Sequence, residues 1–518
     1  MAKSRSWSVL ALLLPVVLLV AACAGGSGSA PVSKDLVYIS QSEPARGLNP
    51  ALASGNVIDQ QFMQLVFGQL LYQDSSGAIQ PGLAESVTPN QDLSHWTVKL
   101  RQGLTFSDGS PFTVDAIQSY WTKVADPATG SPVRASAAEI SAMTAPDPTT
   151  LQVTLKAPDG TWNQALNSSF GSIPSPTAYQ AAGDTFGTTP QNTVGAGPFV
   201  LTELQKGARY VYKKNPKYYE LNKPNLESVE VRIISDSASR ANTIKTGGAD
   251  VTNFLTANSD LVSLQNSGLQ SATAVGGGVA ALVLRTDQGP TADVRLREAL
   301  QRAVDIDAVI SRAAQGATKA SALMDPKGPW GNDVVYPSYD PQKAQQLVDD
   351  YLASTGQQSV ALTLIGANNN QKVWESFKQE WDKIRGLNVT LQIETNVATS
   401  TRIAKRDYPN MLNSALPDTP RRARDLLYSS SSQNTTYTKD PQLDQLILAA
   451  NNTADVAEQK VRMQAVMDRI NALVPGVVQY RLPLHWFWQK DVHGVELSLT
   501  TGVIRFENVT KGGGRPSS

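Results

Sequence analysis

The sequence predicts an α/β protein built from more than one lobe. Three observations carry that prediction. Strand-like alternation and helix-like spacing follow one another along most of the chain. A complete strand–helix–strand unit is legible over residues 360–393. The chain has 518 residues, and one hydrophobic core seldom serves more than about 250–300.

The first thirty residues set the compartment. Lys3 and Arg5 form a basic start, and residues 9–20 are an apolar run broken only by Pro15. That run is short for a bilayer span and suits the apolar core of a signal peptide. Val20-Ala21-Ala22-Cys23 follows, with Gly and Ser over residues 25–29. Small residues before the single Cys of the chain resemble a bacterial lipobox. The resemblance implies a signal peptide over 1–22, a lipid-bearing Cys23 and a flexible tether over 23–35. Two or three acyl chains suffice for stable anchoring. With Lys3 and Arg5 removed, the mature chain has two more acidic than basic residues.

The elements then follow in order. Residues 36–40 form a short apolar strand, and 58–71 carry apolar side chains at helical spacing. Residues 94–101 and 150–156 alternate as strands, with a helix over 115–124. Strands are expected over 199–204 and 228–234. Residues 237–246 form a helix closed by Gly247-Gly248. Helices follow over 293–304 and 307–314. Asp340-Pro341 supplies an N-cap and a first-turn proline for a helix to about residue 354. Strand 360–365, helix 371–384 and strand 389–393 make the βαβ unit. Helices over 442–451 and 454–473 approach the C-terminus. The tail from 511 to 518 is rich in Gly, Pro and Ser and is expected to be unstructured.

Composition excludes several function classes. Lys and Arg together number 45, as do Asp and Glu, which leaves no excess positive field to track phosphates. One Cys allows no internal disulfide. His95, His485 and His493 are the only histidines, too few for a His-rich metal or acid–base centre. Lys245-Thr246-Gly247 matches a fragment of the serine β-lactamase signature, but no Ser of the mature chain has Lys three positions later. It reads as a helix end. No nucleophile elbow or phosphate loop is present. Gly276-Gly277-Gly278 reads as a turn or a backbone crossing. Catalysis and a resident cofactor are not expected.

A set of motifs in one order carries a family resemblance. Gln80-Pro81-Gly82-Leu83-Ala84-Glu85-Ser86 precedes Trp96-Thr97-Val98-Lys99-Leu100-Arg101 and then residues 103–113, Gly-Leu-Thr-Phe-Ser-Asp-Gly-Ser-Pro-Phe-Thr. Leu48-Asn49-Pro50, Val194-Gly195-Ala196-Gly197-Pro198-Phe199 and Lys214-Asn215-Pro216-Lys217-Tyr218-Tyr219 fit the same order. So do residues 294–305 and Asp340-Pro341-Gln342-Lys343-Ala344. Together they resemble the extracytoplasmic solute-binding proteins of peptide-type ABC importers, the oligopeptide, dipeptide and nickel-binding family, over about residues 36–505. Ala196, Tyr219 and Ser107 depart from the family's usual residues at turns and packing positions.

The resemblance implies a two-lobed clamp of the periplasmic-binding-protein kind, with mixed sheets and an extra domain in the N-terminal half. Lobe I is expected at 36–55, 180–275 and 480–510, the extra domain at 56–179, and lobe II at 276–479. Its partners would be a peptide or other small solute, ABC permease subunits and, through Cys23, the lipid bilayer. A monomer is expected. A peptide's ammonium calls for a carboxylate. In peptide-binding members that Asp follows a second-lobe strand, which implies Asp418, with Asp407 in reserve. Ser42, Glu43 and Asn49 are candidates for the cleft lining, and Tyr437, Tyr480, Trp486 and Trp488 for apolar walls. Arg402, Lys405, Arg406, Arg421, Arg422 and Arg424 cluster around the expected ligand segment. They read either as a solvated face or, through Arg421 and Arg422, as a welcome for carboxylate-rich ligands. Two alternatives stay open: the same fold tuned to an oligosaccharide, nickel chelate or anionic cofactor, and a surface protein that does not transport.

Overall fold

Three large sheets, beside two two-stranded ones, organise the described residues. The computed structural model describes residues 34–512, apart from 54–55, 256–257, 275–278, 327, 332–333, 432 and 482–483. The expected signal peptide, Cys23, the tether up to residue 33, Gly276-Gly277-Gly278 and the tail from 513 lie outside the described residues.

The first sheet has seven strands. Their order is Gln270–Ala274, Leu484–Trp488, Val251–Phe254, Asp35–Ser40, Ser228–Ile233, Arg209–Lys214 and Phe199–Gln205. It is mixed: Asp35–Ser40 runs parallel to both neighbours, and Leu484–Trp488 antiparallel to both of its own. Its main core joins Tyr38, Val231, Phe199 and Trp486 to Phe62 and Phe67 of helix Val57–Phe67. That helix falls in the segment expected to belong to the extra domain, yet it packs on this sheet. Gly195 and Gly197 explain how the chain returns beside it. A Cβ at Gly197 would lie 2.6 Å from the Val66 carbonyl carbon, and one at Gly195 would lie 2.3 Å from Val66 O. Only glycine permits that approach.

The second sheet has six strands: Thr318–Lys319, Gly476–Arg481, Val279–Leu284, Met411–Leu416, Val360–Ala367 and Leu387–Glu394. The βαβ unit is present as expected. Val360–Ala367 pairs in parallel with Leu387–Glu394 in unbroken register, and helix Gln371–Trp381 covers the pair through Trp374, Phe377 and Trp381. The other face of the sheet is covered by helices Pro441–Asn451 and Val456–Leu473, through Leu443, Ile447, Met463 and Ile470.

The third sheet is antiparallel, in the order Ala84–Pro89, His95–Leu100, Thr150–Leu155 and Ile140–Asp147. Trp96, Trp121, Trp162 and Phe170 fill its core. Indole N–H of Trp121 donates to Phe170 O at 2.9 Å, so the ring is buried without an orphaned donor.

The chain passes between the seven- and six-stranded modules twice, after Gln270–Ala274 and after Gly476–Arg481. The C-terminal end differs from expectation. Lys511, placed at the start of an unstructured tail, lies in strand Thr510–Lys511 paired with Val492–His493, and its ammonium meets Asp250 at 2.9 Å.

Candidate functional site

Strand Met411–Leu416 lies inside the six-stranded sheet, between Val279–Leu284 and Val360–Ala367. Pro417 and Asp418 form the short joint to helix Pro420–Leu427. Thr419 caps that helix, its hydroxyl accepting from Arg422 N at 3.1 Å, and Pro420 fits the first turn. Asp418 is therefore held at the exit of a strand and the start of a helix, where ligands commonly bind in α/β sheets and negative charge is favoured.

The Asp418 side chain is 11% exposed, and its Oδ1 lies 3.3 Å from Nε of Arg422. This is an ion pair that is poorly aligned: neither Asp418 Oδ1 nor Arg422 Nε has a hydrogen-bond partner among the described residues. Buried polar groups without partners are rare and call for an explanation. Arg481 shares a small hollow with Asp418. Burial pushes its pKa down, against the pull of Asp325 and Asp418.

Asp418 and Arg422 border a cavity of about 660 Å³ between the modules. The six-stranded module supplies Trp330, Asp418, Thr419, Arg421, Arg422 and Asp425. Facing them are Asn56, Gln60, Gln73, Gln164, Asn167, Leu484 and Thr500. A second small hollow of about 20 Å³ adjoins Asp418, Arg481 and Trp330. A larger cavity, about 900 Å³, lies elsewhere, between helix Val114–Ala125 and residues 174–184. Both of its walls come from the N-terminal half, so the six-stranded module has no part in it. Of the two large cavities, the 660 Å³ one is shared by separate lobes.

The other expected residues are distributed as follows. Arg421 is buried and surrounded by carboxylates: Glu139 at 2.9 Å, Asp159 at 2.9 Å and Asp425 at 3.4 Å. Burial opposes its charge, but Asp425, Glu139 and Asp159 outweigh that and hold its pKa above the ordinary value. Its guanidinium is already occupied. Asp407 is 74% exposed, pairs with Arg402 at 3.3 Å and does not line the cavity. Glu43 accepts from Gly207 N and Tyr210 O–H, each at 2.7 Å, and Ser42 O accepts from the Ser40 hydroxyl. Asn49 caps the short helix Pro50–Leu52 and borders the larger cavity. Tyr437 donates to Arg406 O and lies under the Arg285 guanidinium, 4.1 Å from the ring centre.

The aromatic residues expected as apolar walls serve the cores instead. Trp486 is fully buried and donates to Gly502 O at 2.8 Å; Trp488 donates to Gln270 at 3.1 Å; Tyr480 packs in the six-stranded module. The aromatic side chain bordering the cavity is Trp330, fixed by its bond to Gln459 at 2.9 Å. Sequence reasoning passed over Trp330, Gln60 and Thr500. They stand far apart in the chain, and none belongs to a local pattern.

A family model described as bacterial extracellular solute-binding proteins, family 5 (middle), matches residues 78–437. The chain belongs to this family. The resemblance read from the sequence motifs thus holds, and with it the two-lobed α/β fold. The probable D,D-dipeptide-binding periplasmic protein DdpA of Escherichia coli (strain K12) is 27% identical over 448 residues, 83% of this chain and 85% of that protein. Glutathione-binding protein GsiB of Shigella flexneri is 25% identical over 460 residues, 85% and 87% of the two chains. Among solved structures, the binding protein AgaA from A.tumefacien R10, in complex with agropinic acid, superposes with a TM-score of 0.80. It is 23% identical and covers 93% of this chain and 99% of its own. The family serves ABC importers outside the cytoplasm, and its members bind peptides or small solutes. These homologues are binding components of transporters rather than enzymes.

Proposed function

We propose that this family 5 protein is a lipid-anchored capture component that takes short peptides into the 660 Å³ cavity. The observation that carries the reading is the Asp418–Arg422 pair: a carboxylate and a guanidinium at the cavity wall, misaligned with each other, whose Oδ1 and Nε have no hydrogen-bond partner among the described residues. A peptide ammonium supplies the donors that Asp418 lacks. Arg422, 39% exposed, then turns to a carboxylate of the ligand, which a guanidinium fork matches well. Dipeptide and glutathione binding by the two relatives supports this reading.

A second reading is favoured by the wall opposite. Asn56, Gln60, Gln73, Gln164, Asn167 and Thr500 are amides and a hydroxyl, suited to a small, polar solute bearing both hydroxyls and a carboxylate. Native mass spectrometry of the mature protein separates the two by the mass of what it releases. Isothermal titration with dipeptides and their N-acetyl forms then tests Asp418: acetylation is expected to abolish binding, and equal affinity would discard the peptide reading. Anchoring rests on Val20-Ala21-Ala22-Cys23. A Cys23→Ser chain is expected to leave the membrane fraction for the medium or periplasm; unchanged retention there would remove the lipid from the proposal.

A further inference from the structure

The helix that carries the site also joins two modules that the chain itself does not join. Arg421 and Arg424 of helix Pro420–Leu427 reach the four-stranded module. Arg421 meets Glu139 and Asp159, each at 2.9 Å, and Arg424 meets Asp159 at 2.7 Å. Asp159 is 1% exposed there. The backbone adds to the contact. Gly160 N donates to Asn451 O at 2.7 Å, Thr161 Oγ1 to Asn451 Oδ1 at 2.9 Å, and Asn451 Nδ2 to Pro420 O at 3.0 Å. A Cβ on Gly160 would lie 2.2 Å from Thr453 O, so the two surfaces touch with no space for a side chain.

We infer that this contact is the latch of the clamp, and that Arg421, Arg424 and Asp159 are positioning residues that hold the Asp418–Arg422 segment over the cavity. The inference rests on reading that cavity as the binding site, whatever the ligand. The six-stranded module is connected to the seven-stranded one at both of its chain crossings, and to the four-stranded one at neither. A rotation of one lobe against the other therefore makes or breaks this contact without moving any covalent neighbour. Charges confer two-state character on it. Removed from water, they depend on one another's charge, although Glu139 Oε2 and Arg424 Nη1 lack a hydrogen-bond partner among the described residues; half-separated, they lose that attraction before water can replace it. Intermediate openings are disfavoured, and the closed arrangement seats Asp418 and Arg422 at the cavity wall. Arg421 itself borders the cavity, with its guanidinium taken up by the carboxylates of the latch.

The test needs no ligand. In a Cys23→Ser chain, spin labels are placed on Thr144→Cys and Val461→Cys, both exposed and on the two sides of the latch. The distance distribution is expected to contain a population at the separation of this structure. Asp159→Asn, which keeps the side-chain shape, and Arg421→Gln are expected to reduce that population about tenfold, a difference of about 1.4 kcal/mol. Arg421→Lys is expected to restore part of it, and a simple loss of stability would not follow that order. An unchanged distribution in Asp159→Asn overturns the inference even if Arg421→Gln fails to fold. So does the absence of any such population in the parent chain. Capture of peptides from a casein digest by Asp418→Asn is measured in parallel: undiminished capture would sink the reading of the site and leave the distance result standing.

Discussion

Asp418 and Arg421 are three positions apart in one short segment, and their surroundings give them different tasks. Asp418 has one ion-pair partner, imperfectly placed at 3.3 Å, and the attraction of Arg481; Arg421 has three carboxylates. Replacing Asp418 by Asn keeps the volume and removes the charge. A hydrogen bond to a charged group contributes roughly 1.5–3 kcal/mol, so peptide affinity by titration is expected to fall about 10- to 150-fold. An affinity within a factor of two of the parent would mean that the ammonium binds elsewhere. Asp418 was singled out through the family resemblance alone, as an Asp in an Asp/Pro-rich stretch after a second-lobe strand; the strand end and helix start that hold it were not read from the sequence. The role of Arg421 was not legible. Sequence shows its charge but not its partner Asp159, which is 262 positions away. The same limit applies to Trp486: a large aromatic beside a proposed cleft looks like a wall until burial shows it to be core.

At the scale of elements, legibility follows burial pattern. The unit from Val360–Ala367 to Leu387–Glu394 could be read because its helix has one apolar face and ends at a clear break before the next strand. Strands Gly476–Arg481 and Leu484–Trp488 could not. Every described side chain in them is buried, so no alternation marks a strand. Helix Pro341–Thr355 was readable from its cap alone. Asp340 accepts from Lys343 N at 2.9 Å, and Pro341 takes the first position. Asp340→Ala is expected to destabilise the protein by about 1 kcal/mol, read as a lower midpoint in urea with unchanged slope. An unshifted midpoint would show that the helix is held by Leu347, Val348 and Tyr351 against its neighbours and not by its cap.

For the molecule as a whole, the balance of charge at the latch decides how folding stability responds to pH. Glu139, Asp159 and Asp425 outnumber Arg421 and Arg424. Burial raises the pKa of Glu139 above the ordinary 4.5, and repulsion from Asp159 and Asp425 adds to this against the pull of Arg421 and Arg424. The folded protein thus binds a proton at Glu139 over a pH range in which the unfolded chain has already released it. Between the unfolded and the folded pKa, stability falls as pH rises. Glu139's protonated form contributes most below that window, and its ionisation costs stability above it. Glu139→Gln imitates the protonated form without titrating. Its stability relative to the parent chain is therefore expected to rise with pH across the window and to level off above it, ending equal to or greater than the parent at pH 7. Thermal unfolding of both chains from pH 4 to pH 8 measures this difference directly. A variant less stable than the parent at pH 7 by the 3–5 kcal/mol typical of a broken buried pair would show that the latch needs all three carboxylates charged. In that case the two arginines would be closing on a fully ionised acidic surface, and acid alone would open the clamp.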